Sequence, residues 1–94
     1  MLPNTLVNLV NLDCRGTLID EIPDTLINLV SLNCDQTLIT KIPNTLVNLG
    51  YLYCRKTLIA TISDTLVNLG TSDCRKTRVS SLPGTFKTYK MVIF

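Results

Sequence analysis

Four cysteines are the side chains of this sequence best suited to chemistry, and they recur at a constant interval of 20 residues. They are Cys14, Cys34, Cys54 and Cys74. Metal sites usually bring two ligands together within a few residues, as in a CxxC motif, and the sequence contains no such pair. The chain also has no histidine, which removes the commonest metal ligand and the usual general base near neutral pH. We therefore expect the thiols to act as small apolar side chains inside a core, and we expect no metal site.

The remaining residues form no recognisable catalytic constellation. A nucleophile has no histidine partner, and there is neither a glycine-rich phosphate loop nor a predicted pair of inward-facing carboxylates. Reactive thiols need exposure and nearby positive charge, whereas the arginines that follow three of the cysteines are predicted to point to the opposite face. Thiols on adjacent strands can come near disulfide distance, but a parallel cross-strand geometry rarely suits the bond. The sequence thus predicts a non-enzymatic protein without a cofactor.

The cysteine interval belongs to a repeat that runs through the whole chain. The four complete units are LPNTLVNLVNLDCRGTLIDE, IPDTLINLVSLNCDQTLITK, IPNTLVNLGYLYCRKTLIAT and ISDTLVNLGTSDCRKTRVSS, and the fragment LPGTFKTYKMVIF follows them. One unit of this length cannot bury its apolar side chains alone, whereas stacked units form one continuous core. We expect a single domain over residues 1–94, with a partial last unit over about residues 83–94.

The spacing within the unit resembles that of a known family. Residues 29–43 read LxxLxCxxTxIxxIP, which is similar to the leucine-rich-repeat signature LxxLxLxxNxLxxLP, with cysteine in the third leucine place and threonine in the asparagine place. Residues 22–29, IPDTLINL, resemble the IPxxLxNL convex segment of several leucine-rich-repeat classes. The 20-residue period resembles the compact repeats of bacterial effectors and of giant DNA viruses of amoebae. The resemblance implies an α/β-type repeat solenoid with a parallel β-sheet on its concave face, 3₁₀ or extended turns on its convex face, and little true α-helix.

The resemblance also implies a function, because leucine-rich repeats usually bind a protein on the concave sheet. For a viral protein the partner would be a host protein in the host cytoplasm. A net charge of +2 is too weak to indicate a nucleic-acid partner. The N-terminal segment has neither a basic start nor an unbroken apolar run, so we predict no signal peptide and no membrane contact. A cytoplasmic location with reduced thiols is the expectation.

The alternation of apolar and polar residues predicts one short strand in each unit. In the triplet of residues 32–34, for example, leucine and cysteine face inward and asparagine faces outward. The predicted strands are Val10–Cys14, Val30–Cys34, Gly50–Cys54, Thr71–Cys74 and Met91–Phe94.

The outward strand positions form the candidate binding site, because they vary between units while the inward columns stay alike. They are Asn11, Asp13 and Arg15; Ser31, Asn33 and Asp35; Tyr51, Tyr53 and Arg55; and Thr71, Asp73 and Arg75. Tyrosine beside arginine is the composition favoured at binding hot spots, so the third unit supplies the predicted centre. The alternative is that these are ordinary solvated side chains on a face that tolerates variation.

Two apolar columns are predicted to lie near the surface, because each accepts a charged residue in a later unit. Val7, Ile27, Val47 and Val67 are followed by Lys87, whereas Leu18, Leu38 and Leu58 are followed by Arg78. Either neighbouring units shield these side chains from water, or they form stripes through which copies of the chain associate. The unpaired edges of the end strands offer a second route to a homo-oligomer.

Charge is divided unevenly along the chain. Residues 1–47 hold two basic and five acidic residues, a net charge of −3, whereas residues 48–94 hold seven basic and two acidic residues, a net charge of +5. The basic residues expected at one edge of the later strands are Arg55, Lys56, Arg75, Lys76 and Arg78. This edge either steers an acidic partner or is a solvated rim. The acidic residues are expected to be scattered over the surface.

Regular polar columns are predicted to be structural, because each corner of the stack leaves backbone groups that need hydrogen-bond partners. Thr37 and its equivalents are expected to reach a neighbouring unit in place of the family's asparagine ladder, and Asn28 and its equivalents to bridge the convex turns. Ser72 brings a hydroxyl into the core, and Ser63 takes the place of a proline. The bulky residues expected to plug the C-terminal end are Phe86, Tyr89, Val92 and Phe94.

Overall fold

The computed structural model describes residues 2–80 and, for residues 91–93, the backbone. Five strands of three residues form one parallel sheet, in the order in which they follow along the chain. They are β1 (Asn11–Asp13), β2 (Ser31–Asn33), β3 (Tyr51–Tyr53), β4 (Thr71–Asp73) and β5 (Met91–Ile93). Each strand residue pairs with the one 20 positions further on, so that Leu12, Leu32, Leu52 and Ser72 lie side by side. The predicted parallel sheet is confirmed.

The first four strands are one or two residues shorter than predicted, and the predicted end of the fifth lies outside the described residues. Hydrogen bonding between repeats nevertheless continues past the strand ends. The amide of Gly50 donates to the carbonyl of Val30 over 2.8 Å, and the amide of Cys34 donates to the carbonyl of Tyr53 over 2.8 Å. Cys34 is buried like Leu32 two residues before it, so the alternation of inward and outward side chains also continues one residue past the strand.

The core is a stack of equivalent leucine, isoleucine and cysteine side chains. In the second repeat the buried apolar residues are Ile22, Leu26, Leu29, Leu32, Cys34 and Ile39, and in the third they are Ile42, Leu46, Leu49, Leu52, Cys54 and Ile59. In the first repeat Leu9 and Leu12 are half-buried, because that repeat has a neighbour on one side only. Each buried aliphatic side chain contributes about 1.5–3 kcal/mol to the free energy of unfolding. The predicted inward columns are confirmed, including Ser72, whose hydroxyl lies in the core.

Two polar columns join each repeat to the one before it. The hydroxyl of Thr45 donates to the carbonyl of Asp24 over 2.6 Å, and the side-chain amide of Asn48 donates to the carbonyl of Ile27 over 3.1 Å. The same pairs of bonds recur one repeat earlier and one repeat later. These carbonyls lie in turns where no strand can satisfy them, so the structural role predicted for the asparagine column is confirmed.

The second threonine column works differently from the prediction. The hydroxyl of Thr37 donates over 2.8 Å to the carbonyl of Cys34, three residues earlier in its own repeat. Thr17, Thr57 and Thr77 make the equivalent bond. The predicted ladder between repeats was wrong for this column. The carbonyl of Cys34 comes three residues before Thr37, a spacing at which a threonine hydroxyl commonly closes a local turn instead of bonding to the neighbouring repeat.

Short turns replace helices on the side away from the sheet, and residues 2–80 contain no helix. In the second repeat the amide of Leu26 bonds the carbonyl of Pro23, and the amide of Leu29 bonds the carbonyl of Leu26, each across three residues. In the fourth repeat the same first turn forms without the proline. There the hydroxyl of Ser63 accepts a hydrogen bond from the amide of Thr65 over 3.3 Å, which holds the turn through a side chain instead of a ring.

A left-handed residue follows each of the first four strands, two positions after the cysteine. These residues are Gly16, Gln36, Lys56 and Lys76, with φ between 56° and 72°. In this conformation the amide of Gln36 donates to the carbonyl of Arg55 over 2.8 Å, and the amide of Lys56 donates to the carbonyl of Arg75 over 3.1 Å. The sharp turn therefore lets the backbone bonds between repeats continue. Glycine in the first repeat was the only signal in the sequence for this backbone requirement.

Replacing Gly16 by alanine should lower the free energy of unfolding by about 1 kcal/mol, because a side chain with Cβ disfavours positive φ. No heavy atom lies within 4 Å of the position a Cβ would take, so the loss reports the backbone alone. Gly16→Asn is the matched control, since asparagine tolerates this conformation, and it should lose clearly less. Urea unfolding of the three proteins measures the difference. An alanine variant as stable as the wild type would contradict the left-handed turn.

Candidate functional site

The outward positions of the sheet differ in exposure from one repeat to the next. In β1 the side chains of Asn11 and Asp13 are exposed, in β2 those of Ser31 and Asn33 are half-buried, and in β4 those of Thr71 and Asp73 are buried. In β3 the side chain of Tyr51 is 45% exposed and that of Tyr53 is half-buried, on either side of the fully buried Leu52. The exposed aromatic surface of this face therefore belongs to the third repeat.

Two carboxylates that were expected on the surface are buried. Asp35 is 4% exposed and Asp73 is 8% exposed, so the prediction that the acidic residues are scattered over the surface was wrong for both. Each of them forms an ion pair with an arginine of the candidate site, Asp35 with Arg55 and Asp73 with Arg75. Thr71, also expected to be solvated, lies in register beside Tyr51 and is buried as well.

Arg55 binds both carboxylate oxygens of Asp35, which belongs to the preceding repeat. Its Nε and Nη2 donate to Asp35 Oδ2 over 2.9 and 2.6 Å, while the Arg55 backbone amide donates to Asp35 Oδ1 over 2.7 Å. Arg75 binds Asp73 of its own repeat through Nε and Nη2, over 3.0 and 2.8 Å. The Arg75 hydrogen bonds lower the pKa of Asp73, and the hydrogen bond to Asp35 raises the pKa of Arg55. Arg15 pairs more loosely with Asp13 at 3.4 Å, where both side chains are exposed.

A short polar side chain closes the turn after β1, β2 and β4. Asp13 accepts a hydrogen bond from the amide of Arg15, Asn33 from the amide of Asp35, and Asp73 from the amide of Arg75, each over 3.2–3.3 Å. In β3 the equivalent residue is Tyr53, whose side chain has no oxygen close enough to its own backbone to accept this hydrogen bond. Asp35 supplies the missing acceptor from the preceding repeat. This exchange was not predicted, although aspartate or asparagine at three of four equivalent positions indicated a turn acceptor there.

The basic edge expected from the sequence is only partly brought together. Arg55, Lys56, Arg75 and Lys76 line a common pocket just beyond the C-terminal ends of the strands, and Arg15 joins them. Arg78, which was expected in the same group, is not part of the pocket lining. Asp35 forms part of the wall, so the edge is a mixed network with an excess of positive charge.

The four cysteines are buried, as predicted for a core column, and they form no disulfide with one another. Burial raises the pKa of Cys14 to about 11 and raises that of Cys34 further. The Sγ atoms of Cys54 and Cys74 lie 3.9 Å apart, and this hydrogen bond, together with burial, raises the pKa of Cys54. The same bond lowers the pKa of Cys74 to about 7 against the opposing effect of burial, with help from the Ser72 hydroxyl at 3.0 Å.

Both predicted surface columns are exposed. Leu18 is 85% exposed and Leu58 is 60% exposed, with Leu38 between them at the equivalent position. Val7, Ile27, Val47 and Val67 form the second exposed column. Lys87, which follows that column, lies outside the described residues, as do Phe86, Tyr89 and Phe94 of the predicted C-terminal plug.

Within residues 2–80, no group of three or more histidine, cysteine, aspartate or glutamate side chains is arranged to hold a metal ion. In the same part of the chain no helix has the length and apolar character needed to cross a bilayer. Comparison with protein-family models and with curated proteins found no match to this chain.

Proposed function

We propose that the chain is a leucine-rich-repeat solenoid whose sheet forms the concave face. The 20-residue register of the strands supports this assignment, as do the buried columns at the signature positions of residues 29–43. Threonine at the asparagine position closes a turn within each repeat, so this chain would be a variant in which other side chains join the repeats.

We infer that this protein is a non-enzymatic module that binds a protein partner on the outward face of the sheet. The observation that carries the inference is the exchange of turn acceptors at Tyr53. In the first, second and fourth repeats the side chain at this position accepts the hydrogen bond that closes the turn. In the third repeat the position holds a half-buried tyrosine, and Asp35 accepts that hydrogen bond instead. Because the side chain at position 53 does not have to close the turn, this position can hold a side chain that binds a partner.

The residues around Tyr53 have the properties of a binding hot spot. Tyr51 offers a large amphipathic surface with few rotatable bonds, and two hydrogen bonds to Asp35 Oδ2 hold the guanidinium group of Arg55 in place in the unbound protein. The flanking positions of the proposed face are Asn11, Asp13, Arg15, Asn33, Asp35, Asp73 and Arg75. Asp35 and Asp73 would act indirectly, because they are buried and orient the arginines. A reducing compartment such as the cytoplasm suits four free thiols. If the chain is viral, the partner is a host protein.

A second candidate function is self-assembly, which the exposure of Leu18 and Leu58 favours. Apolar side chains that recur once per repeat form a continuous stripe, and such stripes often mark an interface.

Replacing both Tyr51 and Tyr53 by alanine should weaken partner binding at least tenfold, because each buried interface tyrosine commonly contributes about 2 kcal/mol or more. The measurement is quantitative affinity capture from source or host cells, followed by titration of the captured partner. The matched control is Leu18→Ser with Leu58→Ser, which alters an exposed surface outside the proposed face.

The two variants separate the two functions. Under the first, the tyrosine variant loses the partner and the leucine variant keeps it. Under the second, wild-type protein grows in mass with concentration in light scattering, and only the leucine variant stays monomeric. Capture unaffected by loss of both tyrosines would remove the proposed hot spot.

A further inference from the structure

The pocket beyond the strand ends combines a defined volume with an unusual concentration of positive charge. It encloses about 340 Å³, and its cationic lining consists of Arg15, Arg55, Lys56, Arg75 and Lys76. The apolar stripes and the tyrosines of the sheet face contribute nothing to this lining. It is therefore a separate feature, although it shares Asp35 and three arginines, Arg15, Arg55 and Arg75, with the proposed binding face.

The repeat itself forces these cations together. Tyr53 and Asp73 are partners in the parallel register, so residues just after them also come from adjacent repeats about 4.8 Å apart. Arg55 thus lies beside Arg75, and Lys56 lies beside Lys76. The left-handed conformation of both lysines makes the chain turn at this point. Without an anion, like charges at such spacing repel one another.

The two central guanidinium groups are held in place. Asp35 binds the Nε and Nη2 atoms of Arg55, and Asp73 binds the Nε and Nη2 atoms of Arg75. Each group is therefore engaged along one edge, and its Nη1 atom makes no hydrogen bond within the described residues. An arginine fixed in this way binds an oxyanion with less loss of side-chain entropy.

The charge balance leaves room for a multiply charged anion. Three carboxylates, Asp13, Asp35 and Asp73, pair with the three arginines. Lys56 and Lys76 form no ion pair with any residue that the structure describes, which leaves a net charge of +2 around the pocket. A single carboxylate would neutralise half of that excess, whereas a phosphate dianion would neutralise all of it. Arginine forks combined with lysine point charges are also the groups that bind phosphate well.

We propose that this pocket binds a phosphate group, carried either by a free polyphosphate or by a phosphorylated ligand. The lining side chains are about half exposed, so binding is expected to weaken as salt screens the charges. The site does not depend on the protein-binding function proposed above. Its variants leave Tyr51 and Tyr53 unchanged, so failure of one proposal is distinguishable from failure of the other.

The test is a titration of the isotope-labelled chain with inorganic tripolyphosphate, followed through backbone amide and arginine Nε signals in NMR spectra. Shifts should concentrate at Gln36, Lys56, Lys76 and the arginine side chains. Lys56→Gln combined with Lys76→Gln should weaken binding at least about tenfold, because both unpaired charges are lost. Glutamine is a safe replacement, since Gln36 already occupies the equivalent left-handed position. Lys41→Gln is the matched control, because Lys41 lies outside this pocket, and it should bind as the wild type does.

The affinity of a phosphoserine peptide, compared with that of tripolyphosphate and of a glutamate peptide of equal length, identifies the source of the anion. A phosphoserine peptide that binds more tightly than tripolyphosphate assigns the pocket to a phosphorylated ligand, and the reverse order assigns it to free polyphosphate. A peptide with glutamate in place of phosphoserine should bind at least tenfold more weakly. Equal binding of the glutamate peptide would overturn the phosphate assignment in favour of an acidic segment. Equal binding by the double glutamine variant, or no saturable shifts at all, would overturn the site.

Discussion

Leu52→Ala is expected to lower the free energy of unfolding by about 2–5 kcal/mol, the usual cost of removing a fully buried leucine and leaving a cavity. Leu52 is completely buried in the central strand, and its neighbours in register are Leu32 and Ser72. Since small domains have total stabilities of about 5–10 kcal/mol, much of the folded population would be lost at moderate temperature. Urea unfolding followed by circular dichroism measures the effect.

Leu58→Ala is the matched control for this change. Leu58 belongs to the same repeat and has the same side chain, but it is 60% exposed. Its loss should cost less than about 1 kcal/mol, because little apolar surface leaves water when the chain folds. If Leu58→Ala proved the more harmful of the two, the assignment of the inward and outward columns would be reversed.

Alkaline pH should unfold the protein through its cysteine column. Burial raises the folded-state pKa values of Cys14 and Cys34 above the ordinary value of 9.0, and the hydrogen bond with Cys74 together with burial raises that of Cys54. A raised pKa means that the stabilisation is complete below pH 9 and is lost as the pH rises towards the folded-state values. Each thiol contributes a slope of up to about 1.4 kcal/mol per pH unit, so three thiols lose several kcal/mol between pH 9 and 10.5.

Cys74 does not change the expectation that the free energy of unfolding falls above pH 9. Its lowered pKa of about 7 adds stability as the pH rises from 7 to 9 and then a constant amount above pH 9. The free energy of unfolding should therefore rise slightly to about pH 9 and fall steeply beyond it. Urea unfolding at intervals from pH 7 to pH 10.5 measures the curve.

Cys34→Ala provides the control, and the slope rather than the absolute stability is compared. One of three titrating thiols is removed, so the slope above pH 9 should fall by about a third. A wild-type stability that stays flat to pH 10.5 would mean that the thiols reach water in the folded state. An unchanged slope in the alanine variant would assign the transition to other groups.

Much of the core could be predicted from the sequence because the repeat supplies an internal comparison. Leu32, Leu52 and Ser72 share one position, and the first two are alike because each packs against its copy in the next repeat. The exposure of Leu18 and Leu58 followed from Arg78 in the same column, since a charge is costly inside a core. The proposed functions rest on the variable positions, and these remain predictions.

The candidate site was less predictable, because its central ion pair joins side chains of two different repeats. Asp35 was expected on the surface, yet it lies under the guanidinium group of Arg55, which is 20 residues away. A linear pattern reports which face a residue occupies but not which long side chain folds over it. The prediction for the Thr37 column failed for a related reason, since a threonine hydroxyl can bond within its own repeat, as in Thr37, or to the preceding repeat, as in Thr45.

The sequence alone determined the period, the inward columns and the parallel order of the strands, because a 20-residue repeat with alternating apolar positions can bury them only by stacking equal units. The tertiary structure alone decided that Asp35 replaces the turn acceptor that Tyr53 lacks. It also decided that one residue in each of four successive turns adopts the left-handed conformation, and that Lys56 and Lys76 line a common pocket. These outcomes depend on distances of a few ångströms between side chains of adjacent repeats. Hydrophobic periodicity specifies the stacking, but the local pairing of polar groups is settled only once the stack exists.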